Sequence, residues 1–567
     1  MRALFVSLFF TASAFAVPLE FHVKHVGAGK PYQFHRLAHA TKAGTPFEVT
    51  RLSYLIAQPR LQKVDGSWIS FDDTYALINA HERDGRVVLE HVPKGEYQAV
   101  EWWLGLPSDV NKSDTGNWPA GHPLNPVVNN LHWDWRTGYI FLALEGKFRG
   151  AKGLMRGYVY HVANDPQLRR VRIHCAIKID KPTVATVTMD VPRLFEDIDM
   201  VRDGASTHSR AGDPIAPAMA SRAAKSFRLV ASEDGVVRTT AHFPGAVYAA
   251  GTTPVQLALP RGVPQPELPL DNPLTKEGIA LGEKLFFEKL LSKGSKQNCA
   301  SCHQPDMAFS DAGNALSLGV DEKEGLKNSM ALFNLAWHDE FFWDGRAASL
   351  REQVLHPIQD PLEMAETLES VEQKLQTSEY KKLFEKAFDD PVVTIERMAL
   401  ALEQYLISLL SFDSAFDRGV SGKVELTDSE RRGLQIFLGE YDPARGLRGA
   451  DCFHCHGGYL FTNNRFFNNG LDANPELGYA SVTGNARDAG KFKAPSLRNV
   501  AVTGPYMHDG RFKTLEEVVE HYDHGIQRSK TLDANIAKHP VEGMGLTIQE
   551  KKDLIAFLKT LTDVKYH

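Results

Sequence analysis

Several things are missing from this chain. It has no excess of basic charge: the net charge is −6, which argues against a nucleic-acid partner. It has no apolar run that reaches the roughly 20 residues a bilayer-spanning helix needs. Short-period repeats and low-complexity tracts are absent. Cysteine is scarce, with five in 567 residues. What remains is an ordinary globular composition, 43% apolar and 24% charged, in a chain too long for one core.

The few cysteines are not scattered. Four of them fall in CASCH, Cys299 to His303, and CFHCH, Cys452 to His456. Each stretch has the Cys-x-x-Cys-His spacing of c-type haem attachment, in which two thiols bond the porphyrin and the following His ligates the iron. Cys299 and Cys302 would hold one haem over His303. Cys452 and Cys455 would hold the other over His456. A zinc site needs four convergent Cys/His ligands, and the neighbouring sequence does not supply the remainder. Cys175 is left over and reads as a buried structural thiol.

The N-terminus reads as a secretory signal over 1–16. Arg2 supplies the charge, Leu4 to Phe10 the apolar region, and Ala14-Phe15-Ala16 the cleavage site. A mature chain starting at Val17 and exported to the periplasm is expected, which suits haem attachment outside the cytoplasm.

The segment 17–230 reads as β-rich. Ala185, Val187, Met189 and Val191 alternate with Thr186, Thr188 and Asp190, the pattern of a half-buried strand. Further strands are expected at Val87–Val92, Tyr97–Leu106, Gly138–Leu144, Gly157–Val162 and Val171–Ile179, giving an all-β, sandwich-like domain. A proline-rich connector spans 231–271, with prolines at 260, 264, 266 and 269. Beyond it the pattern is helical. Ile395 to Leu410 is apolar at helical spacing, and capping boxes are expected at Thr427/Glu430, Thr514/Glu517 and Thr547/Glu550. The spacing of the haem motifs suggests two mostly α lobes, 272–440 and 441–567, with one haem each.

From about Asn272 onward the chain resembles the bacterial di-haem cytochrome c peroxidase superfamily. The matching pieces are NSMALFNLAWHDEFFWDGRAASLREQ (Asn328 to Gln353), DPLEM (Asp360 to Met364), APSLRNVAVTGPYMHDGRFKTLEEVVEHY (Ala494 to Tyr522) and both haem motifs in order. The resemblance implies a first haem that meets hydrogen peroxide, a second that stores and relays electrons, and a calcium ion between them. It implies that Trp343 bridges the haems and that Gln353 and Glu363 form the distal pair, Glu363 serving as general acid–base. It also implies that Asn328, Thr503 and Pro505 hold the calcium, the last two through backbone carbonyls.

Two departures stand out. Peroxidases of this group cap the resting first iron with a loop His, but no His lies between His303 and His338, and the capping position falls near Leu318 or Gly319. Their second haem has a Met ligand at a position that is Tyr522 here. Met507 is the alternative, with Tyr522 favoured. An anionic oxygen ligand stabilises ferric and higher states, whereas Met favours ferrous iron. Both departures resemble the MauG/MbnH-like branch, whose members use peroxide to reach a high-valent state shared by both haems and so oxidise aromatic side chains of another protein. His338 is assigned no role and is expected to be structural.

The N-terminal half resembles the MbnP-like copper-binding proteins, on FEVTRLSYLIAQPRLQKVDGSW (Phe47 to Trp68), HPLNPVVNNLHWDWRTGYIFLALEG (His122 to Gly146) and GYVYHV (Gly157 to Val162). In that family a MauG-branch enzyme converts a tryptophan of the copper protein to kynurenine. Trp133 and Trp135 are the first candidates for that residue here, with Trp118 third. Copper, Cu(I) or Cu(II), would be held by His132, then His161 and His208, then His22. The leading expectation is a periplasmic oxidase acting on its own N-terminal domain, with tethering raising the effective concentration. One rival is a conventional peroxidase fed by small periplasmic redox proteins. The other is a copper-delivery protein with a haem electron-transfer module, against which the acid–base pair argues.

Overall fold

The computed structural model describes residues 16–566 apart from 82–84, 120, 135–137, 151–154, 211, 235–247, 261 and 444–445. The expected signal segment therefore lies outside the described residues, save Ala16. The chain forms two compact units. One comprises residues up to 113 together with 131–243; the other comprises 114–130 and 244 onward.

The first unit is built from strands β1 (Ala16–Gly27), β2 (Pro46–Lys63), β3 (Gly85–Pro93), β4 (Gly95–Leu104), β5 (Gly138–Arg149), β6 (Met155–Ala163), β7 (Arg169–Ile179), β8 (Thr183–Asp190) and β9 (Phe227–Asp234). One sheet runs β9–β8–β1–β3, with β1 and β8 parallel; the other runs β7–β4–β2–β5–β6. The alternation read from the sequence places Ala185, Val187 and Met189 in the core. The inner faces of the two sheets meet where Phe21 of β1 lies edge-on to Trp102 of β4, ring centroids 5.8 Å apart. Each such fully buried aromatic stabilises the sandwich by about 1.5–3 kcal/mol.

The central strand β2 escaped the sequence reading. Tyr54, Leu55, Ile56 and Ala57 are all buried, so alternation is lost where neighbours cover both faces. A bulge follows, where the register shifts between Ala57 and Arg60 and Gln58 adopts φ +47°.

The second unit is helical around two cores. In the first, α1 (Lys276–Phe286) crosses α2 (Ile395–Ser408), and a Cβ at Gly282 would lie 2.0 Å from the Ala401 carbonyl oxygen. In the second, α3 (Asp428–Phe437) crosses α5 (Ile548–Lys559), and a Cβ at Gly433 would lie 1.9 Å from the Asp553 oxygen. Both crossings need glycine for close backbone approach. A further helix, α4 (Leu515–Glu520), packs into the second core. All three expected capping boxes form, at Thr427, Thr514 and Thr547. The proline-rich connector is packed rather than free: Val263 is buried in a cluster with Trp337 and Leu460, and the Val255 amide donates to the Leu274 carbonyl at 2.9 Å.

Candidate functional site

At the first motif, Cys299–Ser301 form a single 3-10 turn that Cys302 closes, and His303 Nδ1 lies 3.1 Å from the Phe309 carbonyl oxygen. A carbonyl only accepts, so Nδ1 carries the proton and Nε2 is left unprotonated, as a metal ligand would need. Glu363 lies on this side of the fold. Burial, then the neighbouring Asp360 carboxylate, raise its pKa to about 7. Burial pushes the Cys299 thiol up to about 12 and the Cys302 thiol to about 11. The Glu363 carboxylate adds to the rise at each, so its charge is felt at the attachment site. Gln353 closes the short helix Leu350–Gln353 and is half-buried.

The loop at the capping position is pinned to the same segment. The Val320 amide donates to the Glu363 carbonyl at 2.7 Å. A Cβ at Gly319 would meet the Leu362 carbonyl oxygen at 2.0 Å, so the backbone there has no room for a side chain. Leu318 is 53% exposed.

The second motif repeats the first, with a 3-10 turn over Cys452–His454 closed by Cys455. His456 Nδ1 donates to the Pro495 carbonyl at 3.1 Å. Tyr522 lies in a π-turn, His521–Gly525, that follows α4; such turns recur at functional sites because they re-aim one side chain. Burial holds its phenol well above the usual range, with the Cys455 and Cys452 thiols adding. Met507 lines the same cavity, at φ +74°. Both reach Asn469, whose Nδ2 donates to Tyr522 Oη at 3.2 Å and to Met507 Sδ at 3.4 Å.

Trp343 is buried, and its Nε1 donates to the Asn328 carbonyl at 2.8 Å. Asn328, Thr503 and Pro505 line one cavity with Trp343, His456 and Tyr522. The Asn328 Nδ2 donates to the carbonyls of Ala315 and Asn314, which leaves the amide oxygen as the donor suited to a hard cation.

Sequence reasoning missed Asn469 and Lys493. Burial lowers the Lys493 ammonium to about 8, against the pull of Asp339 and Glu340, and its backbone amide donates to the Trp343 carbonyl. Nothing in spacing or composition distinguishes a buried lysine from a solvated one. His338, expected to be structural, lines the haem-side cavity, and burial holds it well below its usual range.

In the β unit, His161 and His208 converge, ring centroids 4.8 Å apart, and His161 Nε2 lies 2.9 Å from the Glu145 carboxylate. His132 lies edge-on to Tyr139, and His22 pairs with Glu20. Trp133 lies in a short strand, His132–Asp134; Trp135 is outside the described residues. Trp68 and Trp103 lie under the guanidinium groups of Arg60 and Arg170, at 4.4 and 3.6 Å. Burial raises the Cys175 thiol to about 11, consistent with an inert cysteine.

Two haem-attachment motifs, each with its imidazole tautomer fixed by a backbone carbonyl, and a buried carboxyl group raised to about 7 whose charge is felt at the first, describe a di-haem c-type oxidoreductase. Comparisons with known proteins agree. Residues 276–425 match the family model of the di-haem cytochrome c peroxidases, and residues 16–209 match that of MbnP. The methylamine utilization protein MauG of Methylophilus methylotrophus is 34% identical over 297 residues, 52% of this chain and 84% of that protein. Cytochrome c551 peroxidase of Nitrosomonas europaea is 34% identical over 289 residues, 50% of this chain and 79% of that protein. The crystal structure of a MauG-like protein associated with microbial copper homeostasis matches at 32% identity and a TM-score of 0.50, covering 55% of this chain and 99% of that one. The chain belongs to the di-haem cytochrome c peroxidase family. It is an oxidoreductase acting on peroxide, built for two haem c groups and joined to an MbnP domain. No helix among the described residues is long and apolar enough to cross a membrane.

Proposed function

We propose that this protein is an exported, periplasmic oxidase that uses hydrogen peroxide to convert a tryptophan of its own MbnP-like half to kynurenine. When bound, the two haems supply the reduction of peroxide and a store for the oxidising equivalents. Cys299 and Cys302 hold the first and Cys452 and Cys455 the second. Glu363 takes a proton from the incoming peroxide and returns it to the leaving oxygen, with Gln353 orienting the molecule beside it. Trp343 carries charge between the two sites. Its indole N–H rests on a carbonyl that cannot accept the proton, so an oxidised ring keeps its proton and is refilled. Asn328, Thr503 and Pro505 would hold a Ca²⁺ ion. Tyr522 would ligate the second haem, with Met507 beside it as a packing residue. His161 and His208 are the copper ligands the geometry favours over His132.

The observation that carries this reading is the fate of residues 114–130. They fall inside the stretch that matches MbnP, yet they pack with the haem-bearing unit. The substrate half thus places part of itself in the oxidising unit. Peptide mass spectrometry of the exported holoprotein before and after peroxide tests the reading. A tryptophan of residues 17–230 should gain oxygen and lose one carbon. If none changes, and a small reduced cytochrome is oxidised rapidly instead, the protein is a conventional peroxidase.

A further inference from the structure

Trp337 is a second buried indole that the scheme above does not use. It is 1% exposed. Its ring packs against Tyr459 and Phe412, centroids 6.1 and 5.5 Å away, and Tyr459 lies in the loop that follows His456. Its Nε1 donates to the Pro264 carbonyl at 2.8 Å, the same arrangement that Trp343 makes with Asn328. An indole can only donate, and an amide oxygen is too weak a base to remove its proton.

From Trp337 a hydrogen-bonded path runs to Trp118. Pro264 is bonded to Gln265. The Gln265 carbonyl accepts from Asn125 Nδ2 at 3.0 Å, and the same nitrogen donates to the Trp118 carbonyl at 3.3 Å. Val127 packs on the Trp337 cluster from the same segment, and the Thr115 hydroxyl donates to the Gly262 carbonyl at 2.9 Å. Trp118 stacks on His122, centroids 4.6 Å apart and planes 10° from parallel. Burial keeps that imidazole below its usual pKa, so the stacked ring is neutral at about pH 7. Trp118 itself is partly exposed.

The two indoles differ in the property that separates a relay from a sink. Water cannot reach Trp337, so a hole there can only move on. Water reaches Trp118, so a hole there can be trapped by bond formation. The other indoles of the MbnP-matching stretch whose side chains are described suit neither role. Trp102 is fully buried, and a guanidinium over Trp68 and Trp103 disfavours a positive ring.

We infer that Trp337 relays oxidising equivalents from the second haem's side of the fold to Trp118, and that Trp118 is the residue oxidised. This rests on the self-oxidation reading above. Each step moves one electron, from Trp118 to Trp337 and from Trp337 to the oxidised haem unit. Four such transfers, with two waters, convert Trp118 to N-formylkynurenine and release four protons. Two hydrogen peroxides take up those four electrons and four protons and become four waters. Hydrolysis of the formyl group then yields kynurenine and formate.

The test uses the full-length holoprotein and Trp337→Phe and Trp337→Tyr variants, treated with hydrogen peroxide and analysed by peptide mass spectrometry and stopped-flow absorption. Trp118 should be modified in the parent protein. Trp337→Phe should lower that yield by about tenfold or more and slow the decay of the peroxide-induced absorption change, because its drain is cut. Trp337→Tyr, similar in size but oxidisable, should restore part of both. Equal yields in parent and Phe variant, or equal losses in the Phe and Tyr variants, overturn the relay. Oxidation at Trp133 or Trp135 with Trp118 intact overturns the target while leaving self-oxidation standing. No modified tryptophan in residues 17–230 overturns the self-oxidation reading itself.

Discussion

Asn469 Nδ2 donates to the phenol oxygen of Tyr522 at 3.2 Å, and the same nitrogen lies 3.4 Å from the Met507 sulfur. The two residues proposed as alternative ligands of a second haem thus share a single donor. A buried phenol resists ionisation, so a phenolate at Tyr522 needs a cation at its oxygen, which a ferric haem held by the second motif would supply. Tyr522→Phe should therefore change the ferric absorption and electron paramagnetic resonance spectra of the second haem, while Met507→Leu leaves them intact. The reverse pattern would make Met507 the ligand.

Glu363 should set the pH profile of the peroxide reaction. With a pKa near 7, the carboxylate that accepts the peroxide proton is populated only above that pH, so the rate should rise as pH climbs through about 7. Asp360 is the second cause of the raised value, so Asp360→Asn should move the midpoint down. Glu363→Gln should slow the reaction by about 10²–10⁴-fold. The folded-state pKa lies above its unfolded value, so the stability this acid contributes is present at low pH and lost as pH rises from about 4.5 to 7. Glu363→Gln should accordingly raise Tm at about pH 8 but not at about pH 4.

Gly319 should tolerate no side chain. A Cβ there falls 2.0 Å from the Leu362 backbone oxygen, which only a backbone shift relieves. Gly319→Ala should cost about 1–3 kcal/mol, read as a lower Tm. The exposed neighbour should be indifferent, with Leu318→Ala within about 0.5 kcal/mol.

Trp343 and the proposed calcium should fail together. The carbonyl that receives the Trp343 indole belongs to Asn328, a proposed calcium ligand. Chelation of calcium, or Trp343→Phe, should leave the first haem reactive to peroxide but suppress the accompanying spectral change at the second. Restoring Ca²⁺ should rescue the chelated protein and not the Phe variant.

Copper binding should depend on the pair that converges. His161→Ala or His208→Ala should weaken Cu(I) affinity in competition with a chelating dye, and His132→Ala should not.

Much of this was legible in the sequence because the controlling interactions are local. A strand with one wet face writes its burial as alternation, and so 183–190 was readable. The capping boxes at Thr427, Thr514 and Thr547 are satisfied within one helical turn. The haem motifs carry their chemistry in five consecutive residues. What could not be read depends on distant neighbours. β2 lost its alternation because both of its faces are buried over Tyr54–Ala57. Asn469 matters only because the fold brings 507 and 522 to it. Trp337 reads as core until the connector carbonyl on its indole nitrogen is seen.

Residues 114–130 leave one unit for the other and return. The chain therefore crosses between the units three times, at 113/114, 130/131 and 243/244. Cutting any one peptide bond leaves the halves covalently joined or still threaded through each other's sequence. A protease nick in the connector would leave residues 114–130 seated in the other unit, and a gene truncated after 243 would encode a sandwich whose loop has lost its seat. If such halves exist elsewhere as separate proteins, their association must supply by affinity what continuity of chain supplies here.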